Sequence, residues 1–206
     1  MLACMAIALL LLDVDGVLLR HERSRRLAWL AAALERPGEA IDAALQAHGL
    51  EEAWTLGRID TTTYLQQLGD ALHCRVDETH WIGSRIASSA AQEAVVERLL
   101  TLPAGVALGV LSNNGPLIAS VLEKQLPTLW PRLRGRVHCS ATLGRRKPDP
   151  EAFLAAVQAL ESTPAQTLLI DDLFANVRSA RAIGFHAETV QDGGGLRRAL
   201  RRHGVV

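Results

Sequence analysis

Leu9-Leu10-Leu11-Leu12 runs without a break into Asp13-Val14-Asp15-Gly16. Four consecutive leucines read as a strand covered on both faces, as in a parallel sheet. Two carboxylates at the end of such a strand serve no stabilising purpose unless something binds them. Open parallel sheets take ligands just beyond the carboxyl ends of their strands, which is where these acids fall. Asp13 and Asp15 are therefore the first candidates for an active site.

The following segment changes period. Leu27, Leu30, Ala31 and Leu34 share one helical face, and Pro37-Gly38 breaks it. Ile41, Ala44, Leu45 and His48 mark a second helix that Gly49 is placed to end. Asp60 or Thr61 can cap a third, carrying Tyr64, Leu65, Leu68 and Leu72, and Trp81, Ile82 and Ile86 mark a fourth. No strand is expected between Leu18 and about Leu102, so this reads as a helical module inserted after the first strand. Ala91 to Leu102 is a further amphipathic helix, stopped by Pro103.

Strands then alternate with helices. Val106 to Leu111 ends in Ser112-Asn113-Asn114-Gly115; Arg136 to Ser140 is weaker; Thr167 to Ile170 ends in Asp171-Asp172; Ala187 to Val190 is last. Asp149 and Pro150 supply an N-cap and a first helical residue. This alternation predicts a doubly wound α/β sheet with right-handed crossovers.

Composition narrows the class. With 206 residues, 49% hydrophobic and 21% charged, the chain can bury a substantial core as a soluble globular protein. Lys+Arg and Asp+Glu balance at 22 each, so no overall field draws it to nucleic acid or membrane. Cys4, Cys74 and Cys139 are odd in number and lack a Cys-x-x-Cys pair, as expected for reduced thiols in the cytoplasm. Met1 to Leu12 lacks the positive start and small-residue cleavage site of a secretion signal and is too short to span a bilayer, so a buried strand is expected there.

Three expected strands thus finish in Asp13/Asp15, Ser112/Asn113 and Asp171/Asp172 on one face of the sheet, with Lys147 in a loop between the last two. Four carboxylates cannot crowd together without raised pKa values unless a cation offsets them. An all-oxygen set without His or Cys suits a hard ion, and Mg²⁺ keeps positions open for phosphate oxygens. Lys147 and the Ser112 hydroxyl offer a cation and a donor for a phosphoryl group. The set describes phosphoryl transfer, with one carboxylate as nucleophile and another as proton donor.

Asp13-Val14-Asp15-Gly16-Val17, Ser112-Asn113, Lys147-Pro148-Asp149-Pro150 and Asp171-Asp172 with Asn176 resemble the four ordered motifs of the haloacid dehalogenase superfamily. The resemblance covers nearly the whole chain. It implies a Rossmann-like core over residues 1–18 and 91–206 and a small helical cap over 19–90. It further implies that Asp13 attacks phosphorus to form an aspartyl-phosphate, and that Asp15 protonates the leaving oxygen and then activates water. Mg²⁺ would be held by Asp13, the Asp15 carbonyl and an acid of the Asp171/Asp172 pair, Asp172 first, with Asp171 acting through water or orienting Lys147. Ser112 and Lys147 would grip the phosphoryl oxygens with the Asn113 backbone, and Asn176 would hydrogen-bond the site's loops. Dehalogenating relatives lack an acid at the Asp15 position, because no leaving alkoxide needs a proton; its presence here points to a phosphatase.

The resulting expectation is a cytoplasmic, Mg²⁺-dependent phosphatase of a small phosphomonoester such as a sugar phosphate, monomeric or homodimeric. A phosphomutase or a phosphate-ligand-binding regulatory protein are the alternatives. Gly193-Gly194-Gly195 lacks the spacing of a phosphate loop and reads as a flexible connection. Arg197, Arg198, Arg201 and Arg202 suit a helix end and a solvated face. Arg145 and Arg146 read as a solvated loop within reach of an anionic substrate, and Trp29, Trp54 and Trp81 as the small core of the helical module.

Overall fold

The computed structural model describes residues 6–46 and 49–206. Cys4 and the expected helical position of His48 lie outside the described residues. The first strand, β1 (Leu9–Leu12), is followed by β2 (Leu19–His21) and by helices α1 (Arg23–Leu34), α2 (Gly38–Gln46), α3 (Leu50–Thr55), α4 (Thr61–Leu72) and α5 (Glu78–Ser88). Next come β3 (Ser89–Ala91), α6 (Glu93–Leu100), β4 (Ala107–Ser112), α7 (Ile118–Gln125), α8 (Trp130–Leu133), β5 (Val137–Cys139) and α9 (Ser140–Leu143). The chain closes with α10 (Pro150–Ala159), β6 (Thr167–Asp171), α11 (Phe174–Ala182), β7 (His186–Thr189) and α12 (Gly193–Arg202).

Five strands form a parallel sheet in the order β5-β4-β1-β6-β7. The four leucines of β1 are each no more than 1% exposed. Leu9 and Leu11 pack with Phe153, Val157 and Val177, under α10 and α11. Leu10 and Leu12 face the other way, among Leu99, Val121 and Leu122 of α6 and α7. A strand with a helical layer on each side has no polar face, which is why all four residues are leucine. From β1 the chain builds outward in both directions, through β4 on one side and β6 on the other. The carboxyl end of β1 is therefore the switch point at which such sheets open a crevice. Leu12 is in register with Val110 and Ile170, so β4, ending at Ser112, and β6, ending at Asp171, finish within two residues of the level of β1.

The expectation of no strand between Leu18 and Leu102 is corrected: β2 and β3 pair antiparallel, Leu19 with Ala91 and His21 with Ser89. This two-stranded ribbon is the stem from which α1 to α5 depart and return. Asp60 caps α4 by accepting from the Thr63 main-chain N at 2.7 Å. Asp77 opens α5, its side chain accepting from Thr79 N at 3.1 Å and His80 N at 3.3 Å. Gly193-Gly194-Gly195 is also corrected, from a loop to the first turn of α12. Asp192 accepts from Gly195 N at 2.6 Å there, and buried Leu196, Ala199 and Leu200 outweigh the low helix propensity of glycine.

Trp54 and Trp81 are buried in the helical module, and Trp54 stacks on Tyr64 with ring centres 4.3 Å apart. Trp54 also rests on the core: a Cβ at Gly115 would collide with its ring. Ser140 Oγ donates to the Thr55 carbonyl at 2.5 Å, and Gln125 Nε2 donates to the carbonyls of Ile86 at 2.8 Å and Ser89 at 3.0 Å. No helix among the described residues is long and apolar enough to cross a membrane.

Candidate active site

Asp13 leaves the end of β1 with its main-chain N donating to the Ile170 carbonyl at 2.9 Å. Its Oδ1 accepts from Val14 N at 2.7 Å and lies 2.9 Å from Lys147 Nζ. Both contacts fall on the same oxygen, so Oδ2 is the one left to act. Burial, opposed by the nearby Lys147 charge and reinforced by Asp171, pushes the Asp13 carboxyl up to about 7.

Lys147 is 2% exposed, and its ammonium also donates to Asp171 Oδ2 at 2.7 Å. Burial works against that charge, yet Asp13 and Asp171 together hold its pKa above the ordinary lysine value. Asp171, fully buried, spends its other oxygen on Leu173 N and Asn176 Nδ2, both at 2.9 Å. Its role here is to fix Lys147 and the turn into α11. Asp172 is the more open of the pair, and burial followed by repulsion from Asp171 raises its pKa. Its carboxylate lies against Gly16, whose φ of 84° and missing side chain are both required: a Cβ there would collide with Asp172 Oδ2.

Ser112 ends β4 at 1% exposure, its Oγ accepting from Asn114 Nδ2 at 2.8 Å. Asn113 is more than a main-chain donor. Its side chain donates to the Lys147 carbonyl at 2.8 Å and accepts from Lys147 N at 2.9 Å. Asn114 Nδ2 also reaches Asp15 Oδ2 at 3.1 Å. The structure thus brings Asp13, Asp15, Ser112, Asn113, Lys147, Asp171 and Asp172 together at the ends of β1, β4 and β6. Carboxylate oxygens of Asp13, Asp171 and Asp172 lie within 4.8 Å of one another, an all-oxygen set fit for a hard cation.

Asp13, Asp15, Ser112, Asn113 and Asp172 line a cavity of about 660 Å³ whose walls include Arg20, His21, Gln92, Arg146 and Gln191, whereas the buried Lys147 and Asp171 do not line it. The His21 ring is lowered to about 4 by burial and then by the charge of Arg85, so it is neutral at pH 7. Of the two loop arginines, Arg146 lines the cavity, whereas Arg145 lies 4.0 Å from Asp149. Arg85 of α5 is 4% exposed, and its Nη2 lies 2.6 Å and 2.9 Å from the two oxygens of Asp15. No motif marks Arg85, Arg20, Gln92 or Gln191. Arg20 and His21 stand close enough to Asp15 in sequence for proximity alone to have flagged them.

One carboxylate oxygen beside a buried cation, a second acid open to the cavity and a hydroxyl at the neighbouring strand end make a hydrolytic site for an electrophile bearing anionic oxygens. A family model described as haloacid dehalogenase-like hydrolase matches residues 7–184, and the chain belongs to that family. It is similar to a phosphatase of Mycobacterium tuberculosis, 34% identical over 93 residues, 45% of this chain and 42% of that protein. The chain therefore matches less than half the length of that relative. It is also similar to a D-ribitol-5-phosphate phosphatase of Bacteroides thetaiotaomicron, 23% identical over 91% of this chain and 94% of that one. Among solved structures, a HAD family enzyme of Bacteroides thetaiotaomicron in complex with magnesium and inorganic phosphate superposes with a TM-score of 0.73. Identity is 20%, over 91% of this chain and 96% of that one.

Proposed function

We infer that the chain is a magnesium-dependent phosphatase of a small, hydrophilic phosphomonoester, working through an aspartyl-phosphate on Asp13. The observation that carries this is the buried ammonium of Lys147 bridging Asp13 and Asp171 while, among the described residues, both contacts of the Asp13 carboxylate fall on Oδ1. A lysine spent only on stability has no need of two buried acids at a ligand-binding crevice. The names of the two curated relatives point the same way.

In the first step Asp13 Oδ2 forms a bond to phosphorus as the bond to the leaving oxygen breaks, and Asp15 gives that oxygen its proton. In the second step Asp15 takes a proton from water, the water oxygen bonds to phosphorus, and the Asp13–phosphorus bond breaks to release inorganic phosphate. Lys147 and the Ser112 hydroxyl stabilise the phosphoryl oxygens, with the Asn113 main chain beside them. Magnesium, when bound, offsets the carboxylates' charge and the charge on the phosphoryl oxygens. Asp13, the Asp15 carbonyl and Asp172 are its proposed ligands, since Asp13, Asp15 and Asp172 line the cavity whereas Asp171 is fully buried and does not. Arg20, His21, Gln92, Gln191 and Arg146 give the cavity walls hydrogen-bonding and cationic character, which suits hydroxyl-bearing substrates such as sugar phosphates. The division into a core, 1–18 and 91–206, and a cap, 19–90, belongs to the same reading, with the β2–β3 ribbon as the hinge between them.

The test is hydrolysis of p-nitrophenyl phosphate with Mg²⁺ and with EDTA, wild type beside Asp13→Asn. Turnover that needs Mg²⁺ and drops by at least about 10³-fold in the variant is expected. Equal rates in the two proteins would remove Asp13 as nucleophile.

A further inference from the structure

Arg85 belongs to none of the strand-end motifs. It comes from α5 in the helical module, 70 residues from the acid it meets. Its Nη2 donates to Asp15 Oδ1 at 2.6 Å and Oδ2 at 2.9 Å, and Asn114 Nδ2 donates to Oδ2 at 3.1 Å. A carboxylate offers about four lone-pair positions. These contacts take two on Oδ2 and one on Oδ1, which leaves one on Oδ1. The Asp15 side chain is 36% exposed and lines the cavity, whereas that of Arg85 is 4% exposed and does not line it. The guanidinium therefore grips Asp15 from behind, and the free position on Oδ1 is where a proton can be carried.

The grip is itself held. The Arg85 guanidinium carbon lies 5.9 Å from the centre of the Trp81 ring, and that of Arg26 lies 5.7 Å from it. Arg26 is paired in turn with Glu51 at 2.9 Å. Arg85 Nε is buried with no hydrogen-bond partner among the described residues. Burying a guanidinium with one donor unsatisfied costs stability, so packing alone does not account for arginine here. The end of α5 is tied to the core by Gln125 of α7, through the Ile86 carbonyl.

We propose that Arg85 is the positioning residue for Asp15: the cap takes part in the chemistry by holding the acid/base carboxylate with Oδ1 toward the scissile bond, and only while α5 is seated on the core. This rests on the reading of Asp15 as the proton donor. Opening the cap to admit substrate then releases Asp15, and closure restores it.

The distinguishing readout is dependence on the leaving group. A p-nitrophenolate leaves as a stable anion and needs little help from an acid, whereas a p-methylphenolate needs a proton. The measurement is kcat/KM, which reports the step that expels the leaving group, for p-nitrophenyl, phenyl and p-methylphenyl phosphate. In Arg85→Gln the loss is expected to stay within about 5-fold on the first and to reach about 10²-fold on the last. Arg85→Lys falls between, and the double variant Arg85→Gln/Asp15→Asn is no steeper than Asp15→Asn alone. Should Arg85→Gln not fold, Trp81→Phe, which weakens the cation–π seat, is expected to steepen the series in the same sense. A steep series for Asp15→Asn with an equal loss across all three substrates for Arg85→Gln, or for Trp81→Phe in its place, overturns this proposal and leaves Asp15 as the acid. An unchanged series for Asp15→Asn overturns the acid/base reading itself, and the role of Arg85 with it.

Discussion

The side-chain amide of Asn113 and the main chain of Lys147 exchange two hydrogen bonds, at 2.8 Å and 2.9 Å, across the gap between the end of β4 and the loop before α10. The pair sets the height at which the Lys147 ammonium meets Asp13 and Asp171. Asn113→Asp keeps the acceptor but turns a carboxylate oxygen toward the Lys147 carbonyl. A loss of about 1–3 kcal/mol in stability is expected, seen as a fall in Tm, with a drop in kcat as Lys147 shifts. A variant with wild-type Tm and kcat would show that the loop keeps its place without the amide.

Gly16 and Asp172 make a second prediction. Gly16 has φ of 84°, and a Cβ there would collide with Asp172 Oδ2. Gly16→Ala therefore strains the backbone and moves the proposed metal ligand at once. The apparent Mg²⁺ affinity, measured by activity titration, is expected to fall by at least about 10-fold, by the measure of disturbed ligand support. Gly38 is the control, because a Cβ there meets nothing within 4 Å. Gly38→Ala should leave both Mg²⁺ affinity and turnover unchanged.

The Asp13 carboxyl, pushed up from 3.8 to about 7, ties metal binding to pH. Between these values the folded protein holds a proton there that the unfolded chain has released. More protons bound in the folded state means that metal-free stability falls as pH rises through this window. A cation bound by Asp13 displaces the proton, so Mg²⁺ affinity should weaken as pH drops below about 7. The gap in Tm with and without Mg²⁺ is expected to widen from pH 5.5 to pH 7.5 in the wild type and to stay flat in Asp13→Asn. A gap independent of pH in the wild type would dissociate Asp13 from the metal.

Such linkage depends on strand ends that the sequence pattern made readable. Four leucines leave β1 no polar face, so the acids after it can only be a terminus, and Ser112 and Asp171 end their strands for the same reason. The ribbon of β2 and β3 was not readable, because Leu19-Arg20-His21 and Ser89-Ala90-Ala91 carry no alternation and find each other only across the helical module. Arg85 was hidden for a related reason. The spacing of Trp81, Ile82 and Ile86 marks the inward face of α5, yet Ser84, Arg85 and Ser88 are buried, with Arg85 held by an acid distant in sequence. A charged residue buried by one specific partner leaves no periodic trace. In the first turn of α12 propensity speaks against Gly193-Gly194-Gly195, and a cap plus apolar burial overrides it.

The contact between Trp54 and Gly115 tests whether the seating of the helical module governs catalysis. Trp54, 1% exposed, lies against the loop that carries Asn113 and Asn114, and a Cβ on Gly115 would collide with its ring. The ring is anchored on its own side by Nε1 donating to Thr61 Oγ1 at 3.1 Å and by the stack on Tyr64, so it cannot simply swing away. Gly115→Ala must then push α3 off the core or drag the loop toward the cavity. A fall in kcat/KM of about 10²-fold is expected, the scale of a displacement near 1 Å at reacting groups. Trp54→Leu removes the obstructing ring, so the double variant Gly115→Ala/Trp54→Leu should recover much of that loss over Gly115→Ala. Such recovery is the signature of direct coupling between neighbouring side chains. Additive losses in the double variant would mean that Gly115 matters for its own backbone and not for the module resting on it.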